Sequence, residues 1–366
     1  MYLNFFGFHV NHWTASVAFT ALATGLVSCQ PQSPTATAPG TPGAPGETIS
    51  ISGAGASFPA PLYQRWFAEY NKQNPNIQIS YQSVGSGAGV NQFLAQTVDF
   101  GATDAPLTQQ EREKFPAQRG RPIQLPMTGG ALVFAYNLPG VDNLRLSRQA
   151  YCGIVQGDIK TWNDPQIAQQ NPGVNLPNTP ISFIHRSDGS GTTFVFTNHL
   201  QAACPQWQAG AAKSVSWPTG LGAKGNEGVT AQVQQTQGSI GYVEFAYARE
   251  NKMQMAAIQN QAGNYITPEP GSAATAIEGA QIPEDFALLV PDPKGEQAYP
   301  IVGLTWLLLY EQYDNPAKAE ALKNAIQWAL TQGDKYAEEL GYLPLPDDVS
   351  QRVIAALDTI KVAQGQ

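Results

Sequence analysis

Between residues 48 and 106 the chain repeats one phrase: a short β-compatible run, then a break rich in glycine, serine or alanine. After the first two breaks a helical stretch follows. Residues 48–52 alternate weakly and lead into Gly53-Ala54-Gly55-Ala56-Ser57-Phe58-Pro59-Ala60-Pro61, after which Leu62, Trp66, Phe67 and Tyr70 recur at helical spacing. Residues 77–84 alternate as a strand, Gly85-Ser86-Gly87-Ala88-Gly89 interrupts, and 90–97 read as a helix. Residues 98–102 form a third strand pattern that runs into Thr103-Asp104-Ala105-Pro106. Short strands separated by helices predict an α/β domain with a parallel sheet.

A second unit begins near Gly129. Strands are predicted over 131–138, 181–184 and 239–243, with a helix with turns over 149–162 and another from Phe194 to residue 203. Residues 299–310 read as a buried strand, and 316–330 and 349–360 have amphipathic helical spacing. These late helices are placed to complete the first unit, so the chain is expected to cross between two units more than once. A length of 366 residues suffices for two cores.

The first 28 residues contain no Asp, Glu, Lys or Arg, and their apolar run ends in Leu26-Val27-Ser28-Cys29. That run is short for a spanning helix, which needs roughly 20 residues, and fits a signal segment. The ending resembles a bacterial lipoprotein lipobox, in which Cys29 becomes the lipidated first residue. The usual basic n-region is missing. An uncleaved anchor or a chance cysteine is the alternative. Residues 30–46, rich in Pro, Thr, Ala and Gly and without charge, form a tether unable to build a core. Export would leave Cys152 and Cys204 as an even pair in an oxidising compartment. They are expected to form a disulfide closing a loop of about 50 residues, worth at most roughly 4 kcal/mol in chain entropy; two buried free thiols are the alternative.

Charged residues are sparse, at 13%, and the net charge of −8 argues against a general nucleic-acid or anionic-membrane surface. Local sites can override that diffuse field. Arg186-Ser187-Asp188-Gly189-Ser190-Gly191-Thr192-Thr193 joins a strand pattern to a helical one. It offers a fixed cation, small hydroxyls and glycines where helix-start amides point outward unpaired. Asp188 is placed to brace Arg186. The junctions at Ser57 and Ser86 are similar, and a short carboxylate loop follows at Asp104. Each junction alone reads as an ordinary helix cap. Together, at the edge of a sheet where ligands collect, they read as an oxyanion pocket.

Other chemistries lack their residues. No Gly-x-x-x-x-Gly-Lys-Ser/Thr occurs, the dinucleotide glycine pattern is incomplete, and no serine stands in a Gly-x-Ser-x-Gly elbow. Past the signal segment only His185 and His199 remain, neither in a metal-ligand spacing. No metal, cofactor or catalytic residue is expected.

Gly53 to Pro61, Asp99-Phe100-Gly101-Ala102-Thr103-Asp104-Ala105-Pro106-Leu107, Asp188-Gly189-Ser190-Gly191-Thr192 and Gly238-Ser239-Ile240-Gly241-Tyr242-Val243-Glu244 resemble the phosphate-binding subunit of the high-affinity phosphate ABC transporter, over about residues 49–360. The resemblance implies a two-lobed, type II periplasmic-binding-protein fold with its ligand cleft between lobes joined by hinge strands. The expected division is a signal peptide over 1–28, the tether over 29–47, lobe I from 48–127 plus 251–366, and lobe II from 128–250. By the same resemblance Ser57, the Phe58 amide, Ser86 and Asp104 would bind phosphate from lobe I. Arg186, Ser190, the Gly191 amide and Thr192 would bind it from lobe II, with Asp188 bracing the arginine. The first-loop hydroxyl is often threonine in the family and is Ser57 here. Asp104 would give selectivity: phosphate keeps a proton to donate to a carboxylate, whereas sulfate has none and would be repelled. The resemblance further implies a monomeric, lipid-anchored protein of the periplasm or cell surface that delivers phosphate to a membrane permease. A surface sensor or scavenger without a permease is the alternative, and a secreted phosphatase a more distant one.

Overall fold

In the computed structural model, residues 48–278 and 280–362 are described. The expected signal segment, the tether and Cys29 lie outside the described residues. The predicted rhythm is present as β1 (Ile49–Gly55), α1 (Ala60–Gln73), β2 (Ile77–Ser83), α2 (Ser86–Leu94) and β3 (Phe100–Thr103). β1 lies between β2 and β3 and is parallel to both.

Strand and helix both reach further into the glycine-rich breaks than the sequence pattern suggests. Gly53 and Gly55 belong to β1, where a Cβ would come within 2.0 Å of the Phe100 ring and of the Ala102 carbonyl oxygen respectively. α2 starts at Ser86 rather than at residue 90. A Cβ on Gly89 would lie 2.3 Å from the Gly55 Cα, so this helix presses on β1 as no other residue would allow. Close packing overrides the weak helix propensity of glycine here.

β4 (Pro122–Asn137) is followed by β5 (Ser182–Arg186), α3 (Gly191–Ala203), β6 (Leu221–Ala223), α4 (Gly225–Gln235), β7 (Ser239–Glu244) and β8 (Val302–Tyr310). The main sheet runs β2-β1-β3-β8-β4-β7-β5-β6. β4 holds its two halves together. Residues 122–131 pair antiparallel with β8, and residues 132–137 pair antiparallel with β7. The sequence pattern revealed only the second half of β4. Pro122 and Pro126 disguise the first, and Pro126 is tolerated because the register with β8 shifts beside it, between Thr305 and Trp306.

The return to lobe I also differs from expectation. Gln254–Met255 pairs with Ala135 and Tyr136, and Ala257–Gln259 joins a small sheet with Arg145–Leu146 and Tyr265–Ile266. Arg148 pairs with Asp292. Residues 254–266 are thereby tied to the second half, while the carbonyls of Ile282, Pro283 and Phe286 already accept from Arg352 and Trp306 of the first. The helix expected over 149–162 spans Arg148–Gln156 and stops at left-handed Gly157 (φ 79°). Cys152 on that helix is disulfide-bonded to Cys204 at the end of α3, with a Cα–Cα distance of 5.7 Å.

The first half closes on its own core. α1 buries Leu62, Tyr63, Trp66 and Tyr70. Tyr70 meets Trp328 of the late helix Pro316–Ala329 edge-on at 5.6 Å, and the Trp66 indole donates to the Gly333 carbonyl at 2.9 Å.

Candidate anion-binding site

The three Gly/Ser junctions and the Asp104 loop converge where the two halves meet. Ser57 follows β1, Ser86 opens α2, Asp104 follows β3, Arg186 ends β5, and Ser190 caps α3. All five are buried, as is Thr192. A Cβ on Gly191 would sit 2.4 Å from the Ser86 Oγ and 2.6 Å from the Asp104 Cβ, so the start of α3 touches the first half directly. The Gly87 amide donates to the Gly189 carbonyl at 2.7 Å across the same junction. Further out, Ser83 reaches Glu227 at 3.3 Å and Lys213 pairs with Glu111.

Arg186 is held as a fork. Its Nε donates to Asp188 Oδ1 at 2.7 Å and its Nη2 to Asp188 Oδ2 at 2.6 Å. Asp188 Oδ1 also accepts from the Gly225 amide at 3.1 Å. Burial pushes the Asp188 carboxyl up, but the Arg186 guanidinium outweighs it and leaves the group below its usual range. Burial likewise opposes the charge on Arg186, and Asp188 more than offsets it. The Nη1 of Arg186 is buried and has no protein partner.

Asp104 presents the complementary case. Its Oδ1 accepts from the Thr305 hydroxyl at 2.8 Å, while its Oδ2 is buried without a protein partner. Burial pushes this carboxyl up to about 7, against the pull of Thr305, Arg186 and Thr192. One buried donor atom of a cation and one buried acceptor atom of a carboxyl therefore stand open in one site.

The hydroxyls share a pattern of polarity. Ser86 Oγ accepts from the Asp104 amide at 3.2 Å, and Ser190 Oγ accepts from the Thr193 amide at 2.9 Å as the N-cap of α3. Ser57 Oγ accepts twice from Asn226, at 3.1 Å from its amide and 2.9 Å from its side chain. Thr192 Oγ1 accepts from the Asn226 side chain at 3.0 Å. An oxygen whose lone pair already takes an N–H keeps its own proton free to donate. With the outward amides at the start of α3, these hydroxyls, Arg186 and a single carboxyl suit a tetrahedral oxyanion that carries a proton.

The structure thus brings Ser57, Ser86, Asp104, Arg186, Asp188, Ser190, Gly191 and Thr192 to one place, while Cys152 and Cys204 pair with each other. Phe58 is fully buried beside Ser57, its carbonyl accepting from the Tyr342 hydroxyl at 2.7 Å. His199 is buried against the Tyr151 hydroxyl at 3.1 Å, and His185 stacks on Trp217 at 5.0 Å. Sequence reading missed Asn226, Thr305 and Tyr247, whose hydroxyl donates to the Ser57 carbonyl at 2.6 Å. Only Asn226 left a trace, since it follows Gly225 at a strand-to-helix junction like the other three.

A family model described as a PBP superfamily domain matches residues 33–332. Among curated relatives, the phosphate-binding protein PstS of Pasteurella multocida is 41% identical over 324 residues, covering 87% of this chain and 92% of its own. That of Xylella fastidiosa is 43% identical over 315 residues, covering 84% and 85%. The PstS of Methanocaldococcus jannaschii is 38% identical over 340 residues, covering 86% and 87%. Solved structures with a similar fold include a high-affinity periplasmic phosphate-binding protein bound with phosphate (TM-score 0.71, 22% identity, 84% of this chain and 93% of that one). A phosphate-binding protein of Stenotrophomonas maltophilia is similar too, with a TM-score of 0.67 at 20% identity and coverage of 84% and 94%.

Proposed function

We propose that this chain, which belongs to the PstS family of phosphate-binding proteins within the PBP superfamily, binds inorganic phosphate between its two lobes and hands it to an ABC permease outside the cytoplasm. The observation that carries this reading is the pairing of two open buried atoms, Arg186 Nη1 and Asp104 Oδ2, within a ring of proton-donating hydroxyls. Arg186 supplies charge and a planar fork, and Asp188 keeps that fork in place. Ser57, the Phe58 amide and Ser86 donate from lobe I; Ser190, the Gly191 amide and Thr192 donate from lobe II. Asp104 accepts the one hydrogen bond that phosphate donates.

One of the lone pairs that set this polarity, that of Ser57, is taken by Asn226 of the opposite lobe, so the ligand contacts mature as the lobes close. An anion touching both lobes stabilises the closed form, because only that form offers both sets of donors. The role is binding and not catalysis. Lipidation of Cys29 would hold the protein at the membrane.

Equilibrium dialysis of the purified chain against labelled phosphate tests the reading. One phosphate retained per chain, with no release of alcohol from a phosphate monoester, is expected. Turnover of the monoester, or no retention of phosphate, would overturn it.

A further inference from the structure

Asn226 is fully buried at the second residue of α4, and its amide has no freedom of orientation. The Oδ1 accepts from the Glu244 amide at 2.9 Å. The Nδ2 is therefore the atom that faces Ser57 and Thr192, at 2.9 and 3.0 Å. An amide nitrogen only donates, so both hydroxyl oxygens must accept from it. One of those hydroxyls belongs to lobe I and the other to lobe II, and the Asn226 backbone amide adds a third contact, to Ser57 at 3.1 Å.

We propose that Asn226 is a positioning residue for phosphate: by donating to one hydroxyl of each lobe, it turns both hydroxyl protons toward the anion, holding Thr192 within its own lobe and reaching Ser57 only when the lobes are closed. This rests on the phosphate-binding reading above and deepens it. Without such a partner a buried serine turns its proton toward any nearby acceptor, and it then presents a lone pair to the ligand. Tyr247 makes the consequence sharper for Ser57, because its hydroxyl already occupies the Ser57 carbonyl and removes one competing acceptor. Glu244 completes the chain of constraint. It fixes the Asn226 carbonyl through its own amide, while its side-chain Oε2 accepts from the Ala246 amide at 2.9 Å. Orientation passes from β7, through one side-chain amide, into both lobes.

The test is a double-mutant cycle read by titration calorimetry of the full chain with inorganic phosphate at pH 8, using Asn226→Ala, Ser57→Ala and the combination. Asn226→Ala retains the backbone amide, so a loss of about tenfold in affinity is expected from the side chain alone. In the Ser57→Ala background the same change is expected to cost at least threefold less, because half of its action is already gone. Asn226→Leu, similar in size and unable to donate, should match Asn226→Ala. Thermal melting without phosphate provides the control, and a packing role alone would lower the melting temperature while leaving the affinity losses additive. Equal losses in both backgrounds, or wild-type affinity in both Asn226 variants, would overturn the inference while phosphate binding by the wild type stands. If one Asn226 variant does not fold, the other decides. Failure of the wild type itself to bind phosphate would instead overturn the reading on which the inference rests.

Discussion

Two sets of buried hydroxyls in this protein have the same chemistry and differ in where their protons go. Ser57, Ser86, Ser190 and Thr192, where the lobes meet, each accept from an N–H. Thr103, Thr128, Thr197 and Ser239 are just as buried, yet they donate to the backbone carbonyls of Ala105, Leu343, Thr193 and Thr236 at 2.6–2.8 Å. The second set uses its protons inside the fold. The first set accepts from N–H groups and, among the described residues, donates to no backbone carbonyl. Burial of a hydroxyl therefore says little about function, whereas whether its proton is spent on a backbone carbonyl says a great deal, even where, as at Thr103 and Thr197, the oxygen also accepts from an N–H.

The largest effect should come from the cation that gives the first set its target. Arg186→Lys replaces a braced fork by a point charge and should weaken phosphate binding by roughly 100-fold or more; calorimetry showing wild-type affinity would break the comparison at its centre. Asp104→Asn should follow, with a loss of roughly 10- to 100-fold for phosphate and a much relaxed rejection of sulfate. The same variant should gain stability without ligand at pH 8. The folded carboxyl titrates near 7, above its ordinary 3.8, so its contribution to stability falls as pH rises from about 4 to 7. Asparagine escapes that loss, and the gain should vanish below about pH 4. Denaturant unfolding at pH 4 and 8 checks the sign, and a gain that is the same at both would contradict it.

A direct comparison of the two hydroxyl sets comes next. Ser190→Ala should cost about tenfold in phosphate affinity, whereas Ser239→Ala should lower stability by about 1 kcal/mol and leave affinity within about twofold. Equal affinity losses would erase the distinction. The smallest effect on binding is expected from the disulfide. Replacing Cys152 and Cys204 by serine should lower the melting temperature, through a loss of about 2–4 kcal/mol, with the phosphate affinity unchanged; a weakened affinity would show that the bridge reaches the site.

Much of this was legible in the residues because the site is built at junctions. Glycines that let helices start against strands, and serines that cap them, leave short ordered motifs around Ser57, Ser86 and Ser190. What stayed hidden depends on contacts between distant parts of the chain. Thr305 reaches Asp104 from a strand 201 positions away, and Asn226 reaches Ser57 across 169. No local pattern records such a pairing. β4 was half hidden for a related reason: Pro122 and Pro126 argue against a strand locally, yet Pro122 stands at its first residue and the register shift opposite Pro126 makes room for the second. The helix starts were misplaced in the same sense, since α2 and α3 begin within their glycine-containing motifs and not after them.

The claim at the centre is a cage of donors with one acceptor, and anion competition tests it most directly. Titrating the wild-type chain at pH 8 with phosphate and with sulfate should give tight one-to-one binding of phosphate and none of sulfate. Sulfate should begin to compete as the pH falls from 8 to 5 and Asp104 takes up its proton. Comparable binding of the two anions at pH 8, or sulfate competition that ignores pH, would contradict the account.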